Sequence, residues 1–232
     1  MLRHTLIGSA ILAASLGFSG CSDSDDSEMM AAETTPMYEI SVTNLTAGQA
    51  MAPAIAALHN ANYKMYMTGE SASVALENLA EGGDNSALLA TAEATTDVDE
   101  AVSFGELLTP GATLQVTLEG NDAYLSFAGM LVNTNDGFVG LESYHISHLG
   151  EGEIERISLS TYDAGTEANS ETAATMPGQS GEGFNAARDD VNDKVRYHAG
   201  VVTSDDGLTT SALSAVHRFD NPTAMLTIKR VH

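Results

Sequence analysis

The chain has 232 residues, with 32 acidic against 9 basic side chains, a formal net charge of −23 and a single cysteine. A surface this negative repels phosphate backbones and anionic headgroups, which speaks against nucleic-acid binding and against docking on acidic lipid. It suits divalent cations, although much of the charge acts as a solvated coat, and one cysteine excludes an intramolecular disulfide, so a core or a bound metal has to hold the fold.

The N-terminus reads as a secretory signal over residues 1–20: Arg3, an apolar stretch from Leu6 to Phe18, then Ser19-Gly20-Cys21. The apolar run is too short to span a bilayer and ends in small residues. Cleavage before Cys21 frees its thiol for lipidation; ordinary cleavage nearby, leaving a free thiol, is the alternative. Ser22 after the cysteine, in place of Asp, directs the expectation to an outer membrane. Residues 21–36 are Ser, Asp, Glu, Ala and Thr with little to bury, and read as a flexible acidic tether.

A folded domain is expected over residues 37–232. Tyr38, Ile40 and Val42 alternate with polar neighbours as in a strand. Pro53 is placed as the first turn of a short helix through Ile55 and Leu58 to His59, Ser73 as the cap of a second carrying Val74, Leu76, Leu79 and Ala80, and Ser86 to Ala92 as a third. From Thr113 the texture becomes strands: Leu114 to Leu118, Tyr124 to Val132, Ile154 to Leu159, Val195 to Val202 and Ala224 to Val231, separated by Gly, Asn and Asp. Met176 to Asn192 reads as a long loop. The pattern predicts a mostly β fold, an antiparallel β-sandwich with two or three short helices in its first half.

Two acidic segments carry the chemistry, Thr134-Asn135-Asp136-Gly137-Phe138 and Tyr162-Asp163-Ala164-Gly165-Thr166-Glu167. Each sets carboxylates beside a glycine, a pattern that gathers oxygen ligands around a hard cation such as Ca2+. The interval between them has room for two strands, so both loops can reach one end of a sandwich. From the residues alone, Asp136-Gly137 serves as well as a plain turn, and Asp163 as a loop-stabilising side chain.

Other constellations carry less. His145 and His148 are spaced for zinc on a helix but fall on opposite faces of a strand. His59 and His198 read as hydrogen-bonded packing residues, Met51, Met65 and Met67 as core filler, and Asp205-Asp206-Gly207 as a hairpin turn. Gly178-Gln179-Ser180-Gly181 lacks the spacing of a nucleophile elbow.

Several strings resemble one family. Tyr38 to Thr46, Ala52-Pro53 with His59, Gly69 with Ala72-Ser73, Leu79-Ala80-Glu81-Gly82, Met130 to Phe138 and Tyr162 to Glu167 are similar to a bacterial spondin domain, from about Met37 to the C-terminus. The resemblance implies a C2-like antiparallel sandwich with calcium between loops at one end, held by Asp136, Asp163 and Glu167. Glu167 stands where animal members usually have Asp, and Gly137 where they have Trp. The expected function is therefore a noncatalytic calcium-binding module on the bacterial cell envelope. It is expected to be exported, anchored through lipid on Cys21, and to bind or adhere to an unknown protein or glycan ligand. A calcium-assisted hydrolase or lyase is the alternative, and a structural envelope protein without an ion is a third reading.

Overall fold

Alternation decides the first strand. In the computed structural model, which describes residues 34–187 and 192–232, β1 spans Met37–Asn44; Tyr38, Ile40, Val42 and Asn44 turn inward while the residues between them stay half-buried. This is the period of two of a sheet with one face on a core. The expected signal segment, the lipidation at Cys21 and most of the tether lie outside the described residues.

The other strands are β2 (Ile55–His59), β3 (Val98–Ser103), β4 (Thr113–Glu119), β5 (Tyr124–Met130), β6 (Gly137–His145), β7 (Ile154–Asp163), β8 (Arg196–Tyr197) and β9 (Ala224–Arg230). They pair in the order β3-β2-β5-β6-β7-β9-β1-β4, with β8 also on β7, and all of these pairings are antiparallel. Strand β7 makes the corner. Its first part, Ile154 to Leu159, pairs with β9, and its last part, Ser160 to Asp163, pairs with β6, so the ladder folds into two facing layers. The far ends nearly close: the Glu100 carboxylate on β3 accepts from the backbone N–H of Glu119 on β4, and Asp99 accepts from the N–H groups of Asn121 and Asp122. The fold is the mostly β antiparallel sandwich that the strand pattern implied.

Between the layers lie Ile40, Val42, Leu118, Phe127, Val139, Leu159, Leu226 and Ile228, all fully buried. Each such side chain contributes about 1.5–3 kcal/mol through the water it leaves. On the outer face of the β2–β5–β6 layer sit two helices, α1 (Val74–Gly82) and α2 (Ser86–Glu93). Ser73 caps α1 by accepting from the N–H of Leu76 at 3.2 Å. Gly83, at φ +70°, ends it in the left-handed conformation that glycine adopts without strain. Leu76, Leu79, Ala80 and Leu88 pack there with Ile55, Ala57, Ala128 and Phe138.

That second layer explains why the helix expected at Pro53 to His59 is a strand. Ala56 and Leu58 face the inner core while Ile55 and Ala57 face the helices, so all five residues of β2 are buried. A strand covered on both faces loses its alternation, and a short apolar run then looks the same as a buried helix turn. Strand β3, broken in pattern by Asp99 and Glu100, was not expected, and the expected Val195–Val202 strand contracts to β8. The Asp205-Asp206 segment is a 3-10 turn, Ser204–Asp206, rather than a hairpin: Asp206 Oδ2 accepts from the Thr203 N–H and hydroxyl at 3.0 and 2.7 Å, and Arg218 pairs with its other oxygen at 2.6 Å. His145 ends β6, and the chain turns so that its ring lies parallel to that of His148 at 6.1 Å, on one side rather than on opposite faces.

Candidate metal centre

Antiparallel register brings the two acidic loops together. Gly137 pairs with Asp163 across β6 and β7, so Asp136, just before β6, meets the last residue of β7, and the Ala164 N–H donates to the Asp136 carbonyl at 3.1 Å. The loop after β7 then wraps the Asp136 carboxylate. Its Oδ2 accepts from the N–H groups of Thr166 at 2.8 Å and Glu167 at 3.1 Å, successive backbone donors of the kind that cradle an anion.

The glycines are required for two different reasons. Gly165 has φ +79°, and a Cβ there would stand 2.5 Å from the Lys194 nitrogen, so both conformation and space demand it. Gly137 has no positive φ; a Cβ on it would lie 2.6 Å from the Thr134 hydroxyl, which donates to the Leu131 carbonyl and accepts from the Gly137 N–H. Close approach, not backbone freedom, selects glycine there.

Asp163 is the most fully engaged of the predicted ligands. Its Oδ1 accepts from the Gly165 N–H at 2.9 Å, and its Oδ2 from Asn169 Nδ2 at 2.9 Å and from the Arg196 guanidinium at 3.1 Å. Glu167 approaches Asp136 through its backbone, while its carboxylate lies 3.4 Å from Asn135 Nδ2 and lines a polar cleft of about 230 Å3 with Ser170, Thr172, Thr175 and Asn185. The structure thus brings Asp136 and Asp163 together through the β6–β7 register and turns the Glu167 carboxylate to the cleft. Among the described residues, no three His, Cys, Asp or Glu side chains converge as a metal-holding group.

Asp136 is fully buried and its Oδ1 has no hydrogen-bond partner among the described residues. Burial raises its pKa to about 7, and the negative charges of Asp163 and Glu81 push the same way against the two N–H donors. A buried carboxylate oxygen with no donor is an expensive feature of a folded protein, and a cation satisfies it directly. The donor set is all oxygen, from carboxylates, amides and hydroxyls, which is the chemistry of a hard cation.

Four further polar groups surround the centre. Glu81 on α1 is buried, with Oε2 accepting from the Asn185 N–H at 2.9 Å and Oε1 without a partner. Glu171 is buried in left-handed backbone at φ +56°; its Oε1 accepts from the Val202 N–H, and burial raises its pKa to about 7. His198 takes the Gly200 N–H on Nδ1 while Nε2 has no partner, and burial lowers its pKa, with Asp163 opposing and Arg196 assisting. Arg196 is the cation that neutralises Asp163. Only Glu81 had a legible signal: Glu77 and Glu81, four apart on α1, interrupt the stripe of Leu76, Leu79 and Ala80, and acids at such positions are buried for a reason.

A family model described as Spondin_N matches residues 44–192, a span that takes in both helices and both acidic loops. No curated protein matches the chain.

Proposed function

The chain belongs to the Spondin_N family, a family of generally noncatalytic extracellular modules, and on that premise we propose that it is a calcium-binding β-sandwich that serves in binding or adhesion on a bacterial cell envelope. The observation that carries the calcium reading is Asp136 Oδ1, a fully buried carboxylate oxygen without a donor among the described residues. Asp136, Asp163 and Glu167 are the residues that would hold the ion. Asp136 offers an open oxygen, Asp163 adds charge from the facing strand end, and Glu167 stands on the loop whose N–H groups already clasp Asp136.

When bound, the ion supplies two positive charges to carboxylates that otherwise repel. Because the centre forms only when the β6 and β7 ends are paired, metal affinity becomes folding stability by linkage. The protein's own part is to lock the 164–167 loop and present the polar cleft beside Glu167 to a protein or glycan ligand. The lipid on Cys21 is its anchor; among the described residues no helix is long and apolar enough to cross a membrane.

Thermal denaturation in millimolar CaCl2 against EDTA tests this reading. Calcium raises the melting temperature of the wild-type protein, and Asp163→Asn abolishes the rise; a wild type whose melting ignores calcium sinks the site. Incorporation of labelled palmitate, lost in Cys21→Ser, tests the anchor.

A further inference from the structure

Helix α1 carries a further buried carboxylate whose charge reaches Asp136. Glu81 is 1 % exposed, its Oε2 is fixed by the Asn185 N–H at 2.9 Å, and its Oε1 is buried without a partner. Asn185 lines the cleft that Asn135 and Glu167 also line, and Glu167 donates its N–H to Asp136. The two carboxylates thus flank the residues of one cleft, and they are near enough for the Glu81 charge to act on Asp136. Each contributes one oxygen that no donor among the described residues satisfies.

Charge favours a cation beside them. Arg196 is taken up by Asp163 at 3.1 Å, and no ion pair among the described residues neutralises Asp136 or Glu81. A proton shared by the two acids would engage both oxygens but leave one negative charge buried, whereas a divalent cation neutralises both. Calcium completes such a pair readily, because amide and carbonyl oxygens and waters fill the rest of its shell.

We infer that Glu81 of α1 is a ligand of the cation held at Asp136, so that the helix layer and the loop end of the sandwich are joined through the metal. This inference rests on the calcium reading above. It makes α1 part of the site, and it couples the order of the helix to occupancy.

Calorimetric titration with CaCl2, and luminescence lifetimes of Tb3+ in H2O and D2O, are compared for the wild-type protein, Glu81→Gln and Glu182→Gln, an exposed residue of the same cleft. The expected result is a loss of calcium affinity of about tenfold or more in Glu81→Gln, with about one more water on bound Tb3+, and wild-type behaviour in Glu182→Gln. In the absence of metal, Glu81→Gln melts higher than wild type, because it removes a buried negative charge that acts on Asp136. Should Glu81→Gln fail to fold, Glu81→Asp takes its place, with weakened affinity expected. Wild-type affinity and an unchanged water count in the Glu81 variant overturn the inference while leaving calcium binding intact. A wild type that binds neither Ca2+ nor Tb3+ overturns both.

Discussion

The β9–β1–β4 ladder and the loop end of β6 and β7 are built on opposite principles. The ladder buries Tyr38, Ile40, Val42, Leu118, Leu226 and Ile228 and, apart from Asn44 at the end of β1, keeps its polar side chains off the core. The loop end buries Asp136, Asp163, Glu81 and Glu171, each 2 % exposed or less. Apolar burial gains stability at any pH and without partners. Buried carboxylates gain it only when something supplies positive charge or a proton. The difference teaches that the ladder holds the fold, while the loop end makes part of that stability conditional on whatever proton or positive charge meets its carboxylates, as Arg196 meets Asp163.

Substitutions on the two sides should therefore differ in kind as well as in size. The largest loss belongs to Ile40→Ala in the ladder, about 4 kcal/mol in chemical denaturation, with the calcium-dependent shift in melting unchanged. A reduced calcium response in that variant would break the separation. Next comes Asp163→Ala, about 3 kcal/mol, because it removes the acceptor of Gly165, Asn169 and Arg196 together. Unlike Ile40→Ala, it also removes the calcium response.

A third effect sharpens the comparison through pH. Glu171 has its pKa raised from 4.5 to about 7 by burial, so the folded protein holds the proton where the unfolded chain has lost it. Its contribution is greatest below pH 4.5 and falls as pH rises toward 7. Denaturation midpoints across that window should fall in the wild type, and Glu171→Gln should flatten this part of the decline; an equal slope in both removes Glu171 from the account. The smallest effect is Ser73→Ala at the α1 cap, about 1 kcal/mol, read as a lower melting temperature. If α1 is joined to the loop end through the metal, calcium should recover part of this loss.

Much of the fold was legible because its strands obey local rules. Leu114 to Leu118 and Tyr38 to Val42 alternate since only one face meets the core, and Ser73 caps α1 because an N-terminal N–H needs an acceptor wherever the helix sits. Ile55 to His59 failed the same test because α1 and α2 cover its second face, and no local pattern records a neighbour twenty residues on. The centre divides in the same way. Asp136-Gly137 and Asp163-Ala164-Gly165 announce themselves through carboxylates beside glycines. Arg196 and Glu171 lie in stretches without a motif and matter only because the chain returns there.

The sequence by itself determined the class of fold, the capped helix α1 and the pair of acidic loops, because alternation, capping and glycine turns are settled within a few residues. Only the tertiary structure decided that Asp136 is buried with an oxygen unsatisfied, that Arg196 claims Asp163, that the Glu167 carboxylate turns to the cleft and that Glu81 arrives from the helix layer. Burial and charge balance are properties of what surrounds a residue, and those surroundings exist only once the strands have paired.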